Sequence, residues 1–199
     1  VYDIRTAPNR VLILLSLAIV GCCVAMAMPA VHLVSLSSDL GYGAVNGARM
    51  LSLLLACSFI SRLGFGWFSD RIGGLKTILI GSSLQAVALS NYIWVDGLTN
   101  LYVLSAAFGL VYGGIVPAYT LAVRELFPAR GAGWRIGVVF LFGTGGMGLG
   151  GWLGGWLFDL MGHYQFAFFA GVIFNLANLS IICYLIWLAG VKKPAYAEA

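Results

Sequence analysis

Six apolar runs, each about as long as a bilayer is thick and separated by short polar turns, leave this chain few ways to fold. They extend from Val11 to about Leu36, Ala44 to about Phe68, Leu75 to Val95, Leu101 to Ala122, about Ile136 to Phe158, and about Tyr164 to Leu188. A spanning helix needs about 20 mostly apolar residues. Backbone facing lipid must satisfy its own hydrogen bonds, which selects helices, and the strict alternation of a membrane barrel is absent. Composition removes the soluble alternative. The 199 residues are 61% hydrophobic and 9% charged, against roughly 25% charged in a soluble domain. The expected fold is an all-α membrane protein with six transmembrane helices. Cys22, Cys23, Cys57 and Cys183 all lie inside apolar runs, without ligand spacing, and read as small hydrophobes. No catalytic group, cofactor or metal is expected.

Charge placement orients the bundle. Arg5, Arg10, Arg62, Arg71, Lys76, Arg124, Arg130, Arg135, Lys192 and Lys193 fall on one side of an alternating six-helix path, and only Arg49 falls on the other. Excess Lys and Arg mark cytoplasmic loops, so both termini are expected in the cytoplasm, with a bacterial inner membrane as the setting. The net charge of +4 is thereby assigned to topology and the lipid bilayer, not to nucleic acid.

A repeat divides the chain. Gly66-Trp67-Phe68-Ser69-Asp70-Arg71-Ile72-Gly73 and Gly155-Trp156-Leu157-Phe158-Asp159-Leu160-Met161-Gly162 share the pattern Gly-Trp-x-x-Asp-x-x-Gly at an offset of 89 residues. That offset carries the start of the first run to the start of the fourth. The expectation is one domain, 1–199, built of two three-helix repeats. The first covers about 11–95 and the second about 101–188, followed by a cytoplasmic tail, 189–199. Three is odd, so the second repeat is inverted relative to the first, as in many secondary transporters.

The turn from Gly66 to Gly74 is the most distinctive stretch. Its glycines suit close helix approach and a tight turn. Asp70 can accept hydrogen bonds from the start of a neighbouring helix, where the dipole favours negative charge; the competing reading is an ordinary polar turn. Gly66-x-x-x-Asp70-Arg71-x-Gly73 resembles the loop signature of the major facilitator superfamily, in its copy between helices eight and nine. Arg124-Glu125-Leu126-Phe127-Pro128-x-Arg130-Gly131 resembles that superfamily's loop between helices ten and eleven. The resemblance implies half of a twelve-helix transporter and a missing N-terminal six-helix half. It also implies gating roles for Gly66, Asp70, Arg71, Gly73, Glu125 and Arg130, with Arg71 and Glu125 as the sharpest pair.

A narrower resemblance concerns the solute. Val31-His32-Leu33-Val34 with Asp39-Leu40-Gly41, and Ser61-Arg62-Leu63-Gly64-Phe65-Gly66, are similar to the monocarboxylate transporter and oxalate–formate antiporter branch. There an arginine of the eighth helix binds the substrate carboxylate, and Arg62 holds the matching position. An intramembrane Arg costs at least about 2.5–3.5 kcal/mol on insertion scales and usually marks a pathway. Its planar guanidinium suits a carboxylate; the competing reading is an Arg that snorkels to the interface. Ser58 stands where the animal members are expected to carry an acid, which weakens proton coupling through an Arg–acid pair. The fifth run has no buried Lys or Arg, which favours a monoanion over a dianion. His32, able to titrate near neutral pH, and Tyr112 and Tyr119, seven apart on one face of the fourth helix, complete the expected substrate-binding set. Packing roles are the alternative for all three.

The expected function is alternating-access transport of a small organic solute, a monocarboxylate-type anion, coupled to a proton or a counter-anion. The alternatives are a superfamily transporter of an unrelated solute, an intramembrane enzyme, or a channel. Gly143-Thr144-Gly145-Gly146-Met147-Gly148 matches a dinucleotide-binding pattern only formally, since it follows no strand and lies inside an apolar run. Gly146, Gly150 and Gly154, spaced by four, instead predict a helix-packing stripe.

Overall fold

A computed structural model describes residues 7–190. Arg5, Lys192, Lys193 and the expected tail beyond Gly190 lie outside the described residues. Seven helical segments form six spans: α1 (Pro8–Asp39), α2 (Ala44–Ile72), α3 (Gly74–Trp94), α4 (Leu98–Tyr112) with α5 (Ile115–Leu126), α6 (Ala132–Met161) and α7 (Gln165–Ala189). Five spans are long and apolar enough to cross a membrane by length and composition. The sixth, α3, has 21 residues, or about 32 Å at 1.5 Å per residue, which also matches the hydrocarbon thickness. Lys76, Gln85 and Asn91 lower its hydropathy.

The spans pair by exchange. α1 packs chiefly against α6 and α7, and the α4–α5 span packs chiefly against α2 and α3. α3 and α7 pack against each other. Swapping the first three spans with the last three maps each of these contacts onto another, as two related three-helix units require. Along its apolar window α1 is 78% buried, whereas α2 and α6 are only 17% and 22% buried. α2 and α6 therefore carry the broad open faces of the bundle.

Glycine sets the closest approach. Gly143, Gly146, Gly150 and Gly154 are the buried glycines of α6. A Cβ on Gly146 would lie 2.8 Å from the Val20 carbonyl oxygen, and one on Gly150 2.6 Å from that of Val24. The stripe read from the sequence thus lets α6 lie directly on α1.

Three expectations are corrected. The Gly66–Gly74 stretch is not a turn: α2 remains helical through Ile72, and Gly73 alone, at φ +88°, makes the corner into α3. Gly66 has nothing within 4 Å of a would-be Cβ, so it mediates no close approach in this bundle. The fourth span is one segment of 29 residues, Leu98–Leu126, but its regular helix is interrupted. It breaks at Gly113–Gly114 because Pro117 has no N–H for the Gly113 carbonyl and its ring crowds the preceding turn. The connection expected from Val123 to Arg135 also shortens to 127–131, which puts Arg135 inside α6.

Candidate functional site

At the basic end, the corner between α2 and α3 is held by backbone bonds and one carboxylate. The Gly73 N–H donates to the Ser69 carbonyl at 2.9 Å, and the Thr77 hydroxyl donates to the Gly73 carbonyl at 2.8 Å. The Gly74 N–H, first in α3, donates to Glu125 Oε2 at 2.9 Å. A Cβ on Gly74 would collide with the Ala122 backbone, so the start of α3 is pressed against α5. The role sketched for Asp70, accepting from the start of a helix, is filled for α3 by Glu125. A carboxylate suits that place because the helix N-terminus carries partial positive charge.

The other expected gating residues surround this corner. The Arg71 guanidinium lies 3.9 Å above the Trp67 ring centre, one helical turn back. Asp70 and Arg124 line a groove of about 210 Å³ between α2 and α5, with Ser69, Thr120 and Pro117. Arg130 is exposed in the 127–131 loop. Arg124 sits in the last turn of α5, where a cation complements the helix dipole.

Arg62 lies on the open side of α2. It is exposed, while Ser58 and Ser61 on the packed side are buried. Among the described residues Arg62 has no hydrogen-bond or ion-pair partner. Phe59 and Leu63, beside it, are 68% and 70% exposed, so the guanidinium stands on an apolar surface. The packed side of the same turns carries the break in the fourth span. A Cβ on Gly113 would strike the Ser58 backbone, and one on Gly114 the Phe65 side chain.

The break separates the two tyrosines. The Tyr112 ring stacks on Phe108 at 5.5 Å, whereas the Tyr119 hydroxyl donates to Asn178 Oδ1 at 2.7 Å. They serve different contacts. His32 is 7% exposed and lies toward the opposite end. Its Nε2 is 3.0 Å from the Gly151 carbonyl oxygen. A carbonyl only accepts, so this bond puts the proton on Nε2.

A cluster of polar side chains, absent from the expected site, ties four spans together. The Asn178 amide nitrogen donates to Ser82 Oγ at 2.9 Å and to Asn175 Oδ1 at 3.1 Å. Asn175 donates to the Ser82 carbonyl at 2.9 Å. Gln85 donates to the Cys22 carbonyl at 3.4 Å. With Tyr119, these groups join α1, α3, α5 and α7 in a fully buried network. The signal was present in the sequence: Ser82 and Gln85 are three apart, as are Asn175 and Asn178, which places each pair on one helix face within an apolar run.

Residues 13–198 match the Major Facilitator Superfamily. The chain belongs to that superfamily. Among its relatives, monocarboxylate transporter 13 of Rattus norvegicus is 28% identical over 157 residues, covering 78% of this chain and 37% of that protein. The gallate transporter of Pseudomonas putida is 30% identical over 166 residues, covering 79% of this chain and 35% of its own. Multidrug resistance protein MdtG of Dickeya zeae is 28% identical over 156 residues, covering 77% and 36%. The chain therefore spans a little over a third of the length of these relatives. A crystal structure of an auto-inhibited POT family peptide transporter superposes with a TM-score of 0.74 at 15% identity, covering 93% of this chain and 38% of that one. At that identity the likeness concerns the fold. Superfamily membership and the apolar spans make this an integral membrane protein of a transporter family and not an enzyme.

Proposed function

We propose that the chain is the C-terminal six-helix bundle of a twelve-helix secondary transporter. It moves a small monocarboxylate-type anion by alternating access, with Arg62 as the carboxylate ligand. One observation carries this reading: an unpartnered arginine stands on the open face of α2, between exposed apolar side chains. A guanidinium at bilayer depth is costly unless it has a counter-charge, and a substrate carboxylate supplies one with matching planar geometry. The names of two relatives, a monocarboxylate transporter and a gallate transporter, support a carboxylate as the solute class. The missing half would close over the open faces of α2 and α6. Coupling to a proton or counter-anion, a bacterial inner membrane and cytoplasmic termini belong to the same proposal. Tyr112 and Tyr119, on the span packed against α2 and α3, support that site through packing. Glu125, Asp70, Arg71, Gly73 and Arg130 shape the gate at the basic end.

The full-length protein in proteoliposomes tests this reading. Saturable uptake of a small labelled monocarboxylate, with counterflow when the unlabelled anion is preloaded, is expected. Uptake of neutral or cationic solutes, with no competition by monocarboxylates, would assign the bundle to another solute class. Non-saturating flux would indicate a channel.

A further inference from the structure

The buried glycines of α6 do not all do the same work. Gly146 and Gly150 make room for the α1 backbone, whereas a Cβ on Gly154 would collide with Nε2 of the His32 ring and lie 2.7 Å from its Cδ2. A Cβ on Gly155 would lie 3.9 Å from Cε1 of the same ring, and Gly151 offers its carbonyl at 3.0 Å. The Tyr164 ring closes the remaining side at 5.3 Å and is itself stacked on Phe158 at 4.4 Å. The imidazole is thus seated in a socket with one acceptor and otherwise apolar walls.

That socket fits a neutral ring and not a charged one. Protonation adds a second N–H, at Nδ1, and a full charge that the Gly151 carbonyl alone does not balance. Of the titratable groups around it, Tyr164 at the edge of α7 touches the ring, Asp39 on α1 and Asp159 on α6 act on Tyr164, and His163, in the turn, stacks on Phe166 instead. Burial raises the Tyr164 phenol above its ordinary pKa; a hydrogen bond with Ser35 works the other way, and the Asp39 and Asp159 carboxylates raise it again. The phenol therefore remains a neutral wall. Both carboxylates are exposed at helix ends, outside the socket, and neither is bonded to the ring, whose hydrogen bond goes to Gly151. Pro29, three residues before His32, leaves the Ala25 carbonyl without its helical donor, so α1, helical through Asp39, lacks one backbone bond just before the socket.

We propose that His32 and its α6 socket form a proton-operated clamp, in which the neutral ring holds residues 30–39 of α1 on α6 and protonation releases them. This site is independent of Arg62 and of any solute. It makes the end of the bundle opposite the Glu125 corner responsive to the pH of the compartment it faces.

Hydrogen–deuterium exchange of segment 30–39 tests the clamp, in the full-length protein in lipid nanodiscs, with rates corrected for intrinsic exchange. Wild-type exchange should rise about tenfold between about pH 7.5 and about pH 5.5. His32→Gln keeps a donor but cannot titrate, and its exchange should be flat across that range. Gly154→Ala expels the ring and should exchange at pH 7.5 as fast as wild type at pH 5.5. Gly148→Ala, where a Cβ meets nothing within 4 Å, should match wild type. The clamp is overturned by a wild type without pH response, by a response that survives in His32→Gln, or by a Gly154→Ala variant as slow as wild type at pH 7.5.

Discussion

Glu125 and Gly74 are joined at 2.9 Å, carboxylate oxygen to backbone N–H, so the end of α5 is bonded to the first residue of α3. The two residues are 51 positions apart, and the bond closes the corner around which Arg71, Asp70 and Arg124 are arranged. A charged acceptor at a helix N-terminus contributes about 0.3–2 kcal/mol, depending on burial.

Glu125→Gln keeps an acceptor and removes the charge. It should lower the stability of the full-length protein by about 0.5–1 kcal/mol, and Glu125→Ala by about 1–3 kcal/mol. Thermal unfolding in detergent measures both. A Glu125→Gln variant as stable as wild type would mean that the charge does not matter and that the bond is an ordinary one.

Gly113 and Gly66 should respond oppositely to the same change. A methyl at Gly113 meets the Ser58 backbone, which cannot move aside; the expected cost is about 1–3 kcal/mol. A methyl at Gly66 meets nothing, and removing a helical glycine should stabilise by about 0.5–1 kcal/mol. If Gly66→Ala stabilises the protein yet abolishes uptake, the glycine serves a contact formed in another state of the full-length transporter. Unchanged uptake would remove Gly66 from the gate.

The buried network should be graded. Interhelical hydrogen bonds in membranes average about 0.6 kcal/mol and reach about 1.7. Tyr119→Phe removes one bond, from the hydroxyl to Asn178, and should cost about 0.5–1.5 kcal/mol. Asn178→Leu breaks that bond and those to Ser82 and Asn175, and should cost about two to three times as much. A loss for Asn178→Leu no greater than for Tyr119→Phe would show that the cluster does not act as a unit.

Much of the bundle could be read from sequence because bilayer thickness imposes a length on apolar runs, and all six spans lie where those runs do. The Gly73 corner followed from glycine, which alone tolerates its positive φ without strain. The break in the fourth span is not legible in hydropathy, which stays high across Gly113–Pro117, because the interruption comes from a missing backbone donor. The Ser82, Gln85, Asn175 and Asn178 cluster was hidden in the same way, its polarity diluted by apolar neighbours. The contact of Arg71 with Trp67, four residues earlier, follows from helical spacing. Partners on other helices, such as Gly74 for Glu125 or Gly151 for His32, depend on packing that no local pattern encodes.

Arg62 carries the functional reading, so its substitution is the most direct measurement. The apparent affinity of the full-length transporter for a labelled monocarboxylate should be compared in proteoliposomes for wild type, Arg62→Lys and Arg62→Ala. Losing a charge-assisted, bidentate bond of about 1.5–3 kcal/mol should weaken affinity roughly 10- to 100-fold in Arg62→Ala, with a smaller loss in Arg62→Lys, which keeps the charge but not the fork. Unchanged affinity in both variants would contradict the account and leave Arg62 as a cation at the edge of the bilayer.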